Sequence, residues 1–229
     1  MLSLLSLLFP SFSNALSQAS HAGLRTVDIS TVADVTNSRF RFEVPSDSQP
    51  QQLKLSLSGS TSEMFVTFVL PNVTAPCSDA KVTIINGGSF PASYQTYSAG
   101  VIGWSGSIYV AKLTGLTPGN SYSYSAFACG KASLTPNPTF KAAPVTGPNV
   151  QTRVIVKADM GTVVPMGFAV AEQIEKDNAA NPFDLAVLAG DLSYATVDPP
   201  HNEFEEVWDA WGRMIEPYVS LMPFMVSFV

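Results

Sequence analysis

Two aspartates and a tyrosine are the residues of this chain best suited to chemistry: Asp159, Asp191 and Tyr194. Asp159 ends the apolar run Arg153-Val-Ile-Val-Lys-Ala. Asp191 ends a second, Asp184-Leu-Ala-Val-Leu-Ala-Gly. Tyr194 follows Asp191 by three positions, so one turn of loop can aim both at one point. Carboxylate and phenolate oxygens are donors that hard metal ions prefer. A carboxylate also offers two oxygens, enough to bridge cations about 3.5–4 Å apart. Taken singly these residues say little, since Asp before Gly is an ordinary turn and Asp after a strand can cap a helix. The argument rests on the pair, two acids 32 residues apart that close two similar apolar runs.

The elements that must position them follow from the spacing. Each run is short, continuous and apolar, and the segment between them, from about residue 167 to 177, reads as a helix closed by an Asn-rich turn. Strand, helix, strand with continuous apolar strands is the pattern of a βαβ unit in a parallel sheet covered on both faces. In such sheets the ligand site lies beyond the carboxyl ends of the strands, where both aspartates fall.

The phrases Asp159-Met160-Gly161 and Gly190-Asp191-Leu192-Ser193-Tyr194 resemble the first two metal-site motifs of the purple acid phosphatases, Asp-x-Gly and Gly-Asp-x-x-Tyr, within the wider metallophosphoesterase group. The resemblance implies a binuclear centre of Fe plus a second divalent metal (Zn, Mn or Fe). Asp159 would bind the iron, Asp191 would bridge the two metals, and Tyr194 would ligate iron as a tyrosinate, a pairing that gives visible colour.

Composition narrows the class. The chain has 229 residues, 46% of them hydrophobic and 13% charged, enough apolar matter for one large domain or two modest ones. Residues 1–150 carry 8 Lys and Arg against 6 Asp and Glu, whereas residues 151–229 carry 4 against 12. So acidic a second half argues against nucleic acid as a partner. Residues 1–15, Met-Leu-Ser-Leu-Leu-Ser-Leu-Leu-Phe-Pro-Ser-Phe-Ser-Asn-Ala, read as a secretory signal without the usual early Lys or Arg. No later stretch reaches the roughly 18 apolar residues of a membrane span. The expected location is therefore extracellular. In that setting Asn72-Val73-Thr74 is a glycosylation acceptor, and Cys77 and Cys129, the only cysteines, are either one disulfide or two free thiols.

Residues 16–44 form a lead segment with a candidate edge strand at Phe40–Val44. From 45 to 143 the chain reads as all-β, with strands expected at 53–58, 64–69, 81–85, 107–113, 121–128 and 139–142, broken by Gly, Pro, Asn and Ser. The stretch Leu113–Tyr124 resembles the closing region of a fibronectin-III-like sandwich, with Tyr122 as its tyrosine-corner residue. The same sandwich precedes the catalytic domain in plant-type purple acid phosphatases, whose opening strand residues 50–59 resemble. Tyr94, Tyr97 and Trp104 read as packing rather than as a binding surface.

A linker at 144–151 leads into 152–229, expected to be the incomplete first part of an α/β metallophosphoesterase domain. After Tyr194, Phe204, Val207, Trp208, Trp211, Met214, Ile215 and Tyr218 recur at helical spacing, with Pro217 and Pro223 framing the end and both tryptophans as core candidates. His201 and His21 read as surface residues. Residues 223–229 look like a third parallel strand. In the family such a strand leads into a Gly-Asn-His motif, followed by two histidine motifs, and none of these three is found up to Val229.

The resemblance thus implies an acid phosphatase that hydrolyses phosphoric monoesters, with this chain alone expected to be inactive and to self-associate through an exposed sheet edge and an uncovered apolar helix face. The alternatives are a non-catalytic secreted binding module, or a related phosphodiesterase or nucleotidase, which Tyr194 disfavours.

Overall fold

A computed structural model describes residues 48–73, 75–95, 106–162, 167–195 and 204–227, all within the unit Asn37–Val229. The expected signal, the lead segment with its Phe40–Val44 strand, His21, Tyr97, Trp104 and His201 lie outside the described residues.

Alternation of apolar and polar side chains builds the first half. Eight antiparallel strands run β1 (Gln51–Leu57), β2 (Met64–Pro71), β3 (Lys81–Ile84), β4 (Ser89–Gln95), β5 (Gly106–Leu113), β6 (Ser121–Ala128), β7 (Lys131–Ala132) and β8 (Thr139–Lys141). Their order is β1-β2-β5-β4-β3-β6-β7, with β8 on β6. Strand β4 joins the two layers: Ser89–Pro91 pair with β3 and Ala92–Gln95 with β5. Pro91 had masked this strand in the sequence, because proline is rare inside sheets, and here it sits where the strand changes partners. Leu55, Val66, Phe68, Tyr109 and Leu113 of one layer meet Val82, Tyr124, Ala126 and Phe140 of the other in a closed core. Tyr122 is a tyrosine corner, its hydroxyl accepting the Thr117 N–H at 2.7 Å.

Cys77 and Cys129 are joined in a disulfide. Beside it, both carboxylate oxygens of Asp79 accept backbone N–H groups, from Cys129 at 2.7 Å and Gly130 at 2.8 Å. Those two residues have positive φ (49° and 75°), a turn whose N–H groups both face one anion.

The second half is the parallel unit. Strands β9 (Val154–Ala158), β10 (Leu185–Ala189) and β11 (Phe224–Ser227) form a sheet of order β11-β10-β9, all parallel. Helix α1 (Gly167–Ala180) buries Gly167, Ala171 and Ile174, at four- and three-residue steps, and is longer than the expected 167–177. Helix α2 (Phe204–Val219) carries Pro217 inside its last turn. The sequence placed proline at the helix end. The helix continues because Tyr218 and Val219 are fully buried, outweighing the lost hydrogen bond. Trp211 is buried as expected, but Trp208 is 40% exposed and stacks edge-on against Trp211, with ring centroids 5.7 Å apart.

The helix face expected to lie bare is covered. Helix α2 packs on β1 of the sandwich, and a bulge between Gln51 and Lys54 makes the joint. Gln52, at φ 56°, donates its N–H to Glu216 at 2.8 Å and its amide to Asp209 at 2.7 Å. Thr135 donates to the other Glu216 oxygen at 2.6 Å, and Tyr124 donates to the Ser220 carbonyl at 3.0 Å. Lys54 and Arg213 face the same acids; burial lowers the pKa of both, while Asp209 and Glu216 pull it back up. What lies bare instead is one face of the parallel sheet, where Val154 and Val156 are 40% and 69% exposed.

Candidate metal centre

The two sequence motifs meet because β9 and β10 are adjacent, parallel and in register, Ala158 opposite Ala189. Each strand therefore delivers its aspartate to the same carboxyl end. The chain breaks from extended form there, with Asp159 at φ 46° and Gly190 at φ 83°. Glycine at 190 is required twice over. It takes a left-handed conformation, and a Cβ there would stand 2.5 Å from Asp159 Oδ1. The space so freed lets the Asp191 N–H donate to that oxygen at 3.0 Å.

Further contacts tie the two loops together. Gly161 donates its N–H to the Leu192 carbonyl at 2.8 Å, and Thr162 donates its hydroxyl to the Ser193 carbonyl at 2.8 Å. Helix α1 begins directly against the first loop, since a Cβ on Gly167 would lie 2.0 Å from the Gly161 carbonyl oxygen. Asp159 and Asp191 are both exposed, and Tyr194, at φ 53°, is half-buried.

Tyr194 belongs to this group electrostatically. Its phenol pKa is raised by partial burial first, then by the negative charges of Asp159 and Asp191, and by a hydrogen bond to the Asp191 side chain. Two carboxylates and a phenol thus form one oxygen cluster. These are hard donors, and they fit part of the shell of a hard cation. Among the described residues, no group of three His, Cys, Asp or Glu side chains gathers where it could hold a metal.

Lys157 is a neighbour that the sequence reading passed over. Two residues before Asp159, it points to the opposite side, toward α2, where its ammonium donates to the Tyr218 hydroxyl and to Met160 Sδ and lies 4.4 Å from the Tyr218 ring centroid. Burial draws its pKa down to about 7. The signal was present: a lone Lys in Val-Ile-Val-Lys-Ala shares its strand face with Ile155 and so must enter the apolar layer. Asn72, the glycosylation candidate, is exposed at a turn with φ 58°.

Residues 50–142 match the family described as purple acid phosphatase, N-terminal domain. The chain is 30% identical over 190 residues to purple acid phosphatase 22 of Arabidopsis thaliana, covering 80% of this chain and 38% of that protein. It is 29% identical over 145 residues to "probable inactive purple acid phosphatase 27" of the same plant, covering 56% and 22%. Among solved structures, purple acid phosphatase PPD1 from yellow lupin (Lupinus luteus) seeds superposes with a TM-score of 0.62 at 22% identity, over 79% of this chain and 35% of that one. That likeness speaks for the fold. The chain spans about two fifths of the length of the first curated relatives it matches.

Proposed function

Because this chain belongs to the purple acid phosphatases as the N-terminal region of one, we propose that the whole protein is an acid phosphatase acting on phosphoric monoesters at a binuclear metal centre, to which Asp159, Asp191 and Tyr194 contribute. The observation that carries this reading is the convergence of those three oxygen donors at the carboxyl ends of adjacent parallel strands, held by the Asp191 N–H on Asp159 Oδ1. The second half is, on this reading, the first part of a metallophosphoesterase α/β domain.

Bound metal ions would supply Lewis-acid activation of the phosphoester at this end of the sheet. The chain's own residues do the positioning. Gly190 admits the close approach of Asp159, and the paired loops hold Asp191 and Tyr194 to one side of it. Without metal, the Tyr194 phenol keeps its proton, because the two acids beside it resist a third negative charge. Asp159, Asp191 and Tyr194 would hold a cation, whose charge would favour the Tyr194 phenolate.

Two carboxylates and a phenol are too few donors for two metal shells, so the 229-residue chain by itself is expected to be inactive. The test is to load the purified chain with ferric iron. A visible absorption band is expected, absent in Tyr194→Phe, together with no turnover of a phosphomonoester. A colourless iron complex sinks the reading of the site, and turnover by this chain alone overturns its expected inactivity. The same shortage of donors supports the second reading, a non-catalytic secreted binding module with a degenerate metallophosphoesterase tail, which predicts no turnover and no tyrosinate colour. No described helix is long and apolar enough to cross a membrane. On the sequence of residues 1–15, we place the protein outside the cell.

A further inference from the structure

We propose that the cleft at the other end of the parallel sheet, away from Asp159 and Asp191, is a second site and binds a small oxyanion, the phosphate or carboxylate group of a soluble molecule. The cleft encloses about 1040 Å³ between β6 and β8 of the sandwich and the segments that lead into β9 and β10. Strand β9, five residues long, separates it from the metal motif by about 17 Å at 3.3 Å per residue. It is therefore a different place with different chemistry.

Its polar wall carries two cations, Arg153 and Lys141. The Arg153 guanidinium lies 3.8 Å from the Phe183 ring centroid, which fixes its plane, and its Nη1 is buried with no hydrogen-bond partner. The guanidinium lines the cleft, where a ligand oxygen would take charge-assisted hydrogen bonds from it. Lys141, whose side chain is 55% exposed, reaches the same cleft with its Nζ 3.5 Å from Asp184 Oδ1. Two of the acceptors on this wall are already engaged. Asp184 Oδ2 takes the Arg153 backbone N–H at 2.8 Å, and Asn178 Oδ1 takes the Phe183 N–H at 2.9 Å, leaving the Asn178 amide hydrogens as donors. Two cations face one acid, so the wall carries a net positive charge. Planar donors of this kind match the paired oxygens of a carboxylate or phosphate.

The test is calorimetric titration of the metal-free chain with inorganic phosphate and, in parallel, with citrate. Saturable binding of at least one anion is expected, weakened about ten-fold or more in Arg153→Gln and in Lys141→Gln, as loss of a charge-assisted contact requires. Asp191→Asn should bind as the parent does, and the arm that binds identifies the anion. The proposal fails if neither anion binds saturably, if both cleft variants bind as the parent does, or if Asp191→Asn abolishes binding. Should Arg153→Gln lose its cooperative thermal transition, Lys141→Gln decides, because its exposed side chain is not part of the core.

Discussion

At the scale of single residues, the chain relies on backbone positions that few side chains tolerate. Asp159 and Tyr194 both adopt positive φ, as does Gly190 between them. Strain of this kind persists only where surrounding contacts fix it, and it gathers at functional sites. Gly190→Ala is therefore expected to cost about 1–3 kcal/mol and to displace the Asp159 carboxylate. A lowered Tm, together with loss of the iron band, checks both effects. Asp79 gives the clearest pH prediction. Its pKa is lowered, chiefly by the N–H of Gly130, with Cys129 adding to it. A carboxyl held lower when folded contributes stability that is complete above its unfolded value, about 3.9, and lost as pH falls through the folded value. Asp79→Asn should lower Tm at pH 6, with the gap to the parent narrowing as pH falls below the unfolded value of about 3.9, as thermal melts across pH would record.

At the scale of elements, the meeting of β1 and α2 carries the most specificity. The bulge at Gln52 turns a strand N–H away from its ladder and gives it to Glu216. Gly212 makes the fit possible, because a Cβ there would lie 2.0 Å from Gln52 Oε1. Gly212→Ala is expected to destabilise by about 1–3 kcal/mol, the usual penalty for overpacking. Gln52→Gly removes the obstructing side chain. In a double-mutant cycle the double mutant should then cost less than the sum of the two single ones, and strict additivity would contradict the contact. The bare sheet face is the other element-scale feature. Parallel sheets are normally covered on both sides, and Val156 at 69% exposure leaves this one open. Val156→Lys should therefore leave the unfolding free energy within about 0.5 kcal/mol of the parent, as for surface sites, which denaturant melts would record.

At the scale of the whole molecule, the sandwich supports the half that carries Asp159, Asp191 and Tyr194. Helix α2 spends its apolar side partly on the parallel sheet and partly on the sandwich, with Tyr124 and Thr135 reaching across to Ser220 and Glu216. Residues 152–229 expressed alone are thus expected to lack a cooperative unfolding transition and to bind a hydrophobic dye. A sharp melt from that piece would refute the dependence. The Cys77–Cys129 disulfide closes a separation of 52 residues. Chain entropy for a loop of that length gives a stabilisation of about 4 kcal/mol. Reduction should therefore lower the denaturant midpoint of the sandwich without changing its strand pairing, which circular dichroism would follow.

Much of this protein was written in local pattern. Alternation marked most strands of the sandwich, continuous apolar runs marked β9 and β10, and the phrases around Asp159 and Asp191 marked the candidate site, because periodicity and turn chemistry are short-range properties of a chain. Strand β4 escaped notice, since a proline normally excludes a central strand and only the change of partners at Pro91 admits one. The pairing of Cys77 with Cys129, the burial of Lys157, the exposure of Trp208 and the Gln52–Glu216 joint depended on which surfaces meet. Two segments 164 residues apart cannot announce their contact in their own composition. The sequence by itself determined most of the elements and the candidate residues at the ends of β9 and β10. Tertiary packing alone decided that α2 lies against the sandwich, because burial is a property of both surfaces at once.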